Sequence, residues 1–311
     1  MKILILCAQP NSILSTGMIN SLSTIYAYHF NKWLSRYVDC NISFNSAYLK
    51  IDEINSVDNY DFCIILVNRG VKTMKNAIFE ILRTKIKYQI ITICATNSII
   101  DKEDLLLFTM GQSKPKTKRL YWGADFDLLK PLKSNTINVL VDHKYYGKPT
   151  SNMYKNDKTE IFIKSLLKYK NDGHDIIIKH IGAGQVHEVT NDYKIQEYKQ
   201  SLAMDFREIY KYYNEAHIYI VTHAESFGLT TIECASAGAL IVEPISYIKT
   251  DIINRLHHVS ITDMDHINWD DIIKQININK SINMAKVFSY QNAIKQLYYH
   301  MKTICINTIQ V

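Results

Sequence analysis

The sequence predicts an α/β protein made of two doubly wound domains, each built on a parallel sheet. The chain has 311 residues, more than one compact domain needs and enough for two of ordinary size. Hydrophobic residues make up 47% and charged residues 21%, which supplies large cores and excludes disorder over long stretches. Short apolar runs alternate with longer amphipathic stretches, a pattern typical of parallel strands covered by helices on both faces.

The elements follow one another in the order that such domains require. The apolar runs predicted as strands are 3–7, 62–67, 90–94, 137–141, 176–181, 218–221 and 240–242. The amphipathic stretches predicted as helices are 21–37, 73–85, 159–170, 206–214, 230–237 and 285–304. Right-handed crossovers between parallel strands give doubly wound domains. In such domains ligands bind at the carboxyl ends of the strands, so we expect the site there.

A domain boundary is predicted where Gly123, Pro131 and polar residues interrupt the pattern, before a new strand begins at Ile137. The predicted division is 1–131, 135–280 and a final long helix within 285–311. The polar stretch 144–158 follows a strand and is predicted to be a surface loop, a place where function is often carried in this architecture.

Charge and cysteine content exclude several classes of protein. The net charge is +6, but the basic residues are scattered, so we predict no nucleic-acid partner. The six cysteines include no C-x-x-C pair and are predicted to be free thiols in a reducing compartment. The first apolar run is too short for a signal peptide, and no run approaches a membrane span, so no transmembrane segment and a cytoplasmic location are predicted.

The turn after the strand 218–221 is the best candidate for a phosphate site. It runs Thr-His-Ala-Glu-Ser-Phe-Gly up to Gly228, and a helix is predicted to begin at Leu229 or Thr230. Free backbone N–H groups and the positive end of a helix both favour an anion. Ser226 or Thr230 could cap this helix, and Gly228 would let a ligand approach the backbone.

Two carboxylates, Glu225 on this turn and Glu233 one turn into the helix, could face the same crevice. Ionised carboxylates accept the hydroxyl hydrogen bonds that sugar and ribose recognition requires. On the residues alone a second interpretation stays open, in which Glu225 is solvated and Glu233 only stabilises the first helical turn.

The segment 225–242, E-S-F-G-L-T-T-I-E-C-A-S-A-G-A-L-I-V, resembles the donor-site signature of the group-1, or family-4, retaining glycosyltransferases, with its Glu-x7-Glu motif. It departs from the signature at Cys234, where Ala is usual, and at Leu240, where Pro is usual. Weaker similarities in the family's order cover about residues 120–300 and lie at 122–131, 178–184, 206–220 and 288–290.

This resemblance implies the GT-B fold, in which two Rossmann-like domains face a cleft and the last helix returns to the first domain. The N-terminal domain would lie on the acceptor side. Glu233 would bind the ribose hydroxyls, and Glu225, our catalytic candidate, would bind the transferred sugar. The backbone of Phe227, Gly228 and Leu229 would border the sugar and the diphosphate. Ser226 and Thr230 of the turn would also belong to the donor site. Gly182 and Gly184 would lie near the nucleotide.

The family usually adds an Arg and a Lys at the diphosphate, from a G-R-x-x-x-x-K-G pattern that is absent here. Lys158 is the candidate for the Lys, and His143 or Lys144 for the Arg, although each could instead be a solvated surface residue. In the N-terminal half, the turn with Gly17 is included among the donor-binding candidates.

The implied function is transfer of a hexosyl or related sugar from a nucleotide-sugar donor to a hydroxyl of a carbohydrate or other acceptor, with retention. No cofactor and no metal are expected, because lysines and a helix N-terminus would neutralise the diphosphate. The D-x-D sequences at Asp125 and Asp263 are predicted to be turns. His223 could line the cleft or be a structural residue. The alternatives are a non-catalytic nucleotide-sugar-binding module and a GT-B nucleotide-sugar epimerase.

Overall fold

The computed structural model describes residues 1–7, 22–43, 59–67, 76–94, 106–109, 117–142, 157–182, 185–194, 204–224, 228–248 and 250–309. The chain forms two compact units. The first combines Met1–Trp122 with Tyr290–Val311, and the second is Gly123–Ser289.

The first unit contains a six-stranded sheet with the order β2-β1-β3-β4-β5-β6. Its strands are β1 (Lys2–Cys7), β2 (Asp39–Ser43), β3 (Tyr60–Val67), β4 (Ile86–Cys94), β5 (Leu106–Thr109) and β6 (Thr117–Arg119). Every pairing is parallel. The central side chains Ile3, Ile5, Phe62 and Ile64 are fully buried. Helices cover both faces of such a sheet, which explains why these strands are apolar without alternation.

The helices that the described residues of this unit form are α1 (Leu22–Leu34), α2 (Asn76–Lys85) and, at the far end of the sequence, α9 (Tyr290–Ile309). Helix α9 packs against α1, where the rings of Tyr290 and His29 stack with their centroids 4.4 Å apart. Phe30 meets Tyr290 edge to face at 6.0 Å. The prediction of a C-terminal helix that returns to the first domain is confirmed.

The second unit contains a six-stranded sheet with the order β12-β11-β10-β7-β8-β9. Its strands are β7 (Ile137–Val141), β8 (Ile176–Gly182), β9 (Gln185–Glu188), β10 (Ile218–Ile220), β11 (Leu240–Pro244) and β12 (His258–Ile261). All pairings are parallel except that of β9, which runs antiparallel to β8. The chain leaves β7 towards β8 on one side and later returns to β10 on the other. The point where the strand order reverses therefore lies between β7 and β10, and in open α/β sheets ligands bind there.

The helices of the second unit connect these strands. They are α3 (Thr159–Asn171), α4 (Phe206–Glu215), α5 (Leu229–Ser236), α6 (Thr250–Ile253), α7 (Trp269–Ile273) and α8 (Ile278–Ala285). A continuous helix over 285–304 was expected, but α8 ends at Ala285 and α9 begins at Tyr290. The break is fixed by backbone pairing, because the N–H of Ala124 donates to the carbonyl of Phe288 at 3.0 Å.

The segment that follows Trp122 joins the second unit through Asn214 at the end of α4. The side chain of Asn214 accepts from the N–H of Lys130 at 2.9 Å and donates to the carbonyl of Leu128 at 3.0 Å. Its carbonyl accepts from the N–H of Leu132 at 2.8 Å. These bonds explain why the second unit starts at Gly123 and includes a stretch that the sequence assigned to the first domain.

The sequence predicts free thiols and no transmembrane segment. Cys63 and Cys234 are buried free thiols, and Cys305 is a half-buried one. Within these residues no helix combines the length and apolar character that a membrane crossing requires.

Candidate functional site

The candidate site is built where β7 and β10 end side by side. Ile220 pairs with Val141, so the residues that follow the two strands, Asp142 and the pair Thr222 and His223, emerge at the same edge of the sheet. The N–H of Asp142 donates to the carbonyl of Ile220 at 2.9 Å, which extends the strand pairing by one residue. This edge is the reversal point of the strand order, and the geometry there favours ligand binding.

A buried histidine and a buried aspartate meet at this edge. Nδ1 of His223 lies 3.5 Å from Oδ2 of Asp142, and the two side chains are 3% and 1% exposed. The ring of His223 is thus packed against a carboxylate beneath the strand ends. The sequence left two interpretations open for His223, a residue that lines the cleft or a structural residue. Its burial against Asp142 supports the structural interpretation.

The first residues of α3 reach the same edge. The backbone N–H of Lys158 donates to the carbonyl of Thr222 at 2.8 Å, so the helix begins beside the end of β10. The carboxylate of Asp157 accepts from the N–H of Thr159 at 2.8 Å. Burial, and then the negative charge of Asp157, raise the pKa of Tyr247, which lies in the turn after β11. The Lys158 side chain is half-buried.

Helix α5 begins at Leu229 directly after the candidate turn. Its N-cap, Gly228, has φ 71° and ψ 44°, a left-handed conformation in which glycine is favoured. No side chain of the described residues caps the helix, and Thr230 lies inside the first turn instead of capping it as expected. The N–H groups of this turn, which no described side chain caps, could donate hydrogen bonds to an anion.

Glu233 lies one turn into α5 and is only 4% exposed. The hydroxyl of Tyr210 on α4 donates to Oε1 of Glu233 at 2.5 Å. Burial raises the pKa of Glu233 to about 8, although the hydrogen bond from Tyr210 lowers it in part. A carboxyl in this state titrates near neutral pH, which is a common property of functional sites and also of buried structural networks.

A second tyrosine of α4 contacts the first turn of α5. Tyr213 hydrogen-bonds Thr230, and burial followed by the charge of Glu233 raises its pKa well above the ordinary value. Tyr210 and Tyr213 lie three residues apart on one face of α4, with ring centroids 5.7 Å apart. Two hydroxyls of one helix therefore meet two polar side chains of the other.

Gly182 ends β8, one strand away from Asp142. A Cβ atom at this position would lie 3.1 Å from Cε1 of His180, so a larger side chain would press on that ring. Gly182 also pairs with Gln185 of the antiparallel strand β9. The glycine therefore serves close packing at this edge of the sheet.

Several predicted site residues lie outside the described residues, and they remain predictions: Gly17, His143, Lys144, Gly184, Glu225, Ser226 and Phe227. Six predicted site residues are described, and their roles also remain predictions: Gly182, Lys158, Gly228, Leu229, Thr230 and Glu233. Sequence reasoning missed three contributors, Asp142, Tyr210 and Tyr213. The spacing of Phe206, Tyr210 and Tyr213 at helical intervals indicated a buried face, but nothing in it indicated that their hydroxyls meet α5.

The two D-x-D sequences form turns, as predicted. Oδ1 of Asp125 accepts from the N–H of Asp127 at 3.0 Å, and Oδ1 of Asp263 accepts from the N–H of Asp265 at 2.9 Å. Among the described residues no three His, Cys, Asp or Glu side chains are arranged to hold a metal ion.

The fold is similar to that of solved carbohydrate enzymes. Sucrose-phosphate synthase from Thermosynechococcus elongatus aligns with a TM-score of 0.58 and 10% identity over 99% of this chain and 100% of that one. AviGT4, a glycosyltransferase involved in avilamycin A biosynthesis, aligns with a TM-score of 0.55 and 9% identity over 99% of this chain and 98% of that one. No protein-family model and no curated protein matches the sequence. The likeness shows the GT-B fold, with two Rossmann-like domains, as the sequence predicts.

Proposed function

We propose that the protein is a glycosyltransferase that moves a hexosyl or related sugar from a nucleoside-diphosphate sugar to a hydroxyl of a carbohydrate or other acceptor. The supporting observation is the position of the Glu-x7-Glu segment in a GT-B fold. Helix α5, which carries Glu233, follows the strand that ends at the reversal point of the second sheet. AviGT4, which shares the fold, is a glycosyltransferase.

In this proposal the second domain binds the donor. Glu233 accepts hydrogen bonds from the ribose hydroxyls, and Glu225 binds the transferred sugar and is the catalytic candidate. The uncapped N–H groups at the start of α5 contact the diphosphate, together with Lys158 and with His143 or Lys144. Support for Lys158 comes from its backbone bond to Thr222, which fixes the start of α3 at the same edge.

The remaining donor contacts follow from the resemblance. Gly182 and Gly184 border the nucleotide, while Ser226 and the backbone of Phe227 border the sugar and diphosphate. Gly17 contributes from the first domain, which also binds the acceptor. Retention at the anomeric carbon is part of the proposal because the resemblance to the Glu-x7-Glu family implies it.

Catalysis in this proposal needs no metal, because the leaving diphosphate is neutralised by lysines and by backbone amides. Activity should therefore survive a chelator. Complete loss of activity with chelator, restored by Mn²⁺, would instead assign metal binding to a D-x-D sequence.

The experiment that tests the proposal starts with a thermal-shift screen of nucleoside diphosphates and their sugars. A ligand that binds only the folded state raises the melting temperature, so this screen identifies the base and the sugar. The matching donor, labelled in its sugar, is then incubated with candidate acceptors and the products are analysed. Transfer or slow donor hydrolysis supports the proposal. Epimerised donor would identify an epimerase, and binding without turnover would identify a binding module.

A further inference from the structure

The geometry points to Tyr210 as a positioning residue that holds the carboxylate of Glu233 in the orientation required for ribose binding. This inference rests on the proposed function, since it assigns a partner to the residue proposed to bind the ribose. The observation that carries it is the 2.5 Å hydrogen bond from the Tyr210 hydroxyl to Oε1 of Glu233.

Both side chains are almost fully buried, Tyr210 being 3% and Glu233 4% exposed. A buried carboxyl without a hydrogen-bond partner is costly, and helix packing alone would be served as well by a phenylalanine at position 210. The hydroxyl of Tyr210 thus has a specific task, which is to satisfy one oxygen of Glu233.

The ring of Tyr210 is itself fixed by its neighbours on α4. Phe206 meets it edge to face with centroids 5.2 Å apart, and Tyr213 lies on the other side at 5.7 Å. Phe206, Tyr210 and Tyr213 follow at intervals of four and three residues, so they form one buried face. Because the ring cannot turn freely, its hydroxyl fixes the position of Oε1.

Glutamate has three rotatable side-chain bonds, and an unheld carboxylate must be ordered when a ligand binds. The bond from Tyr210 orders it beforehand, which reduces the entropy lost on binding. The bond from Tyr210 engages Oε1, and Oε2 is the oxygen that this inference assigns to the ligand hydroxyls. Tyr210 therefore acts through Glu233 and does not itself need to touch the ligand.

The test compares binding of ribose and deoxyribose ligands. Calorimetry measures the affinities of uridine, guanosine, adenosine and cytidine diphosphate and of their 2′-deoxy counterparts. We expect the wild type to prefer the ribose form of its nucleotide. Tyr210→Phe should lower this preference by about tenfold, an effect on the scale of one lost hydrogen bond. A merely structural role would lower the melting temperature and leave the preference unchanged.

Tyr212→Phe is the matched control, because Tyr212 lies on the same helix and its ring contacts the Lys179 ammonium at 5.2 Å, a contact that phenylalanine retains. It should keep the wild-type preference. In a Glu233→Ala background Tyr210→Phe should have no further effect on the preference, since the side chain through which it acts is absent.

Two outcomes overturn the inference in distinguishable ways. If the wild type prefers ribose and Tyr210→Phe prefers it equally, Tyr210 does not position Glu233, and the proposed function stands. If the wild type binds none of the diphosphates, or binds them without preference for ribose, the ribose assignment of Glu233 fails and the role of Tyr210 fails with it.

Discussion

Nδ1 of His223 lies 3.5 Å from Oδ2 of Asp142, at the ends of the two strands that flank the reversal point of the second sheet. Both side chains are at least 97% buried, so bulk solvent does not screen any charge that they carry. A buried pair of this kind loses much of its stability when one partner is removed, because the other group stays buried without it.

We therefore predict that Asp142→Asn and His223→Gln each destabilise the protein and that their effects are not additive. The double variant should lose less free energy of unfolding than the sum of the singles, by about 1–3 kcal/mol. Urea unfolding of the four proteins measures this difference. The exposed pair Asp263 and His266, 3.0 Å apart, is the matched control, and its coupling should be below about 0.5 kcal/mol. Equal coupling in the two cycles would contradict the prediction.

The stability of the fold should depend on pH through Glu233. Its pKa is about 8 in the folded protein against an ordinary value of 4.5, so the folded state binds the proton more tightly than the unfolded state. This stabilises the fold fully below about pH 4.5, and the contribution is lost as the pH rises through 8.

Glu233→Gln keeps the shape and the acceptor for Tyr210 but does not titrate. Its free energy of unfolding, relative to wild type, should rise between pH 5 and pH 8 by an amount on the order of a few kcal/mol. Chemical denaturation at intervals across this range measures the change, and Glu208→Gln, at an exposed position on α4, should show no such trend. A constant difference from pH 5 to pH 8 would show that folding does not raise the pKa of Glu233.

Lys158 is predicted to contact the diphosphate. Lys158→Ala should weaken binding of the nucleoside diphosphate by about tenfold or more and leave the affinity for the nucleoside nearly unchanged, because a charge-assisted contact is lost. Calorimetry with both ligands measures the two affinities. Lys168→Ala, an exposed change on the same helix, is the control. Equal losses for nucleoside and nucleoside diphosphate would place Lys158 away from the phosphates.

Glu225 is predicted to contact the sugar and not the nucleotide. Glu225→Gln should leave the nucleoside-diphosphate affinity unchanged but lower the turnover of the intact donor by about tenfold or more, because a misplaced sugar reacts slowly. Steady-state rates together with calorimetry separate the two effects. Weaker binding of the bare diphosphate would argue against this division of roles between the glutamates.

The sequence was informative where one segment alone determines the structure. The apolar run Ile137–Val141 predicted β7 at its observed bounds, and the turn before Leu229 predicted the start of α5. Two of the strands that it missed are short and polar, β2 with Asp-Cys-Asn-Ile-Ser and β9 with Gln-Val-His-Glu. Both lie at the outer edge of a sheet, where one side is unpaired and an apolar run is not required.

In the candidate site, too, the sequence identified single residues but not the contacts between distant segments. Glu233 could be identified from its motif, but its partner could not, because Tyr210 lies on another helix and meets it only when α4 and α5 pack on the same sheet. The pairing of Asp142 with His223 likewise depends on β10 lying beside β7, which no local pattern of residues indicates.

The end of α5 provides a test of how closely its neighbours are packed. Gly238 has φ +94°, and a Cβ atom there would lie 2.7 Å from Cγ2 of Ile278 on α8. Gly173 has a similar φ of +101°, but nothing lies within 4 Å of its would-be Cβ atom. Substitutions at the two glycines therefore distinguish the cost of backbone strain from the cost of steric crowding. Gly173→Ala should cost about 1–2 kcal/mol, the usual strain of a left-handed residue.

Gly238→Ala should cost a further 1–3 kcal/mol or so, because α8 must shift to admit the methyl group. Urea unfolding of both variants measures the costs. Adding Ile278→Ala removes the crowding atom, so in that background Gly238→Ala should cost only as much as Gly173→Ala. If Gly238→Ala and Gly173→Ala cost the same in the wild-type background, α8 does not pack tightly against the end of α5.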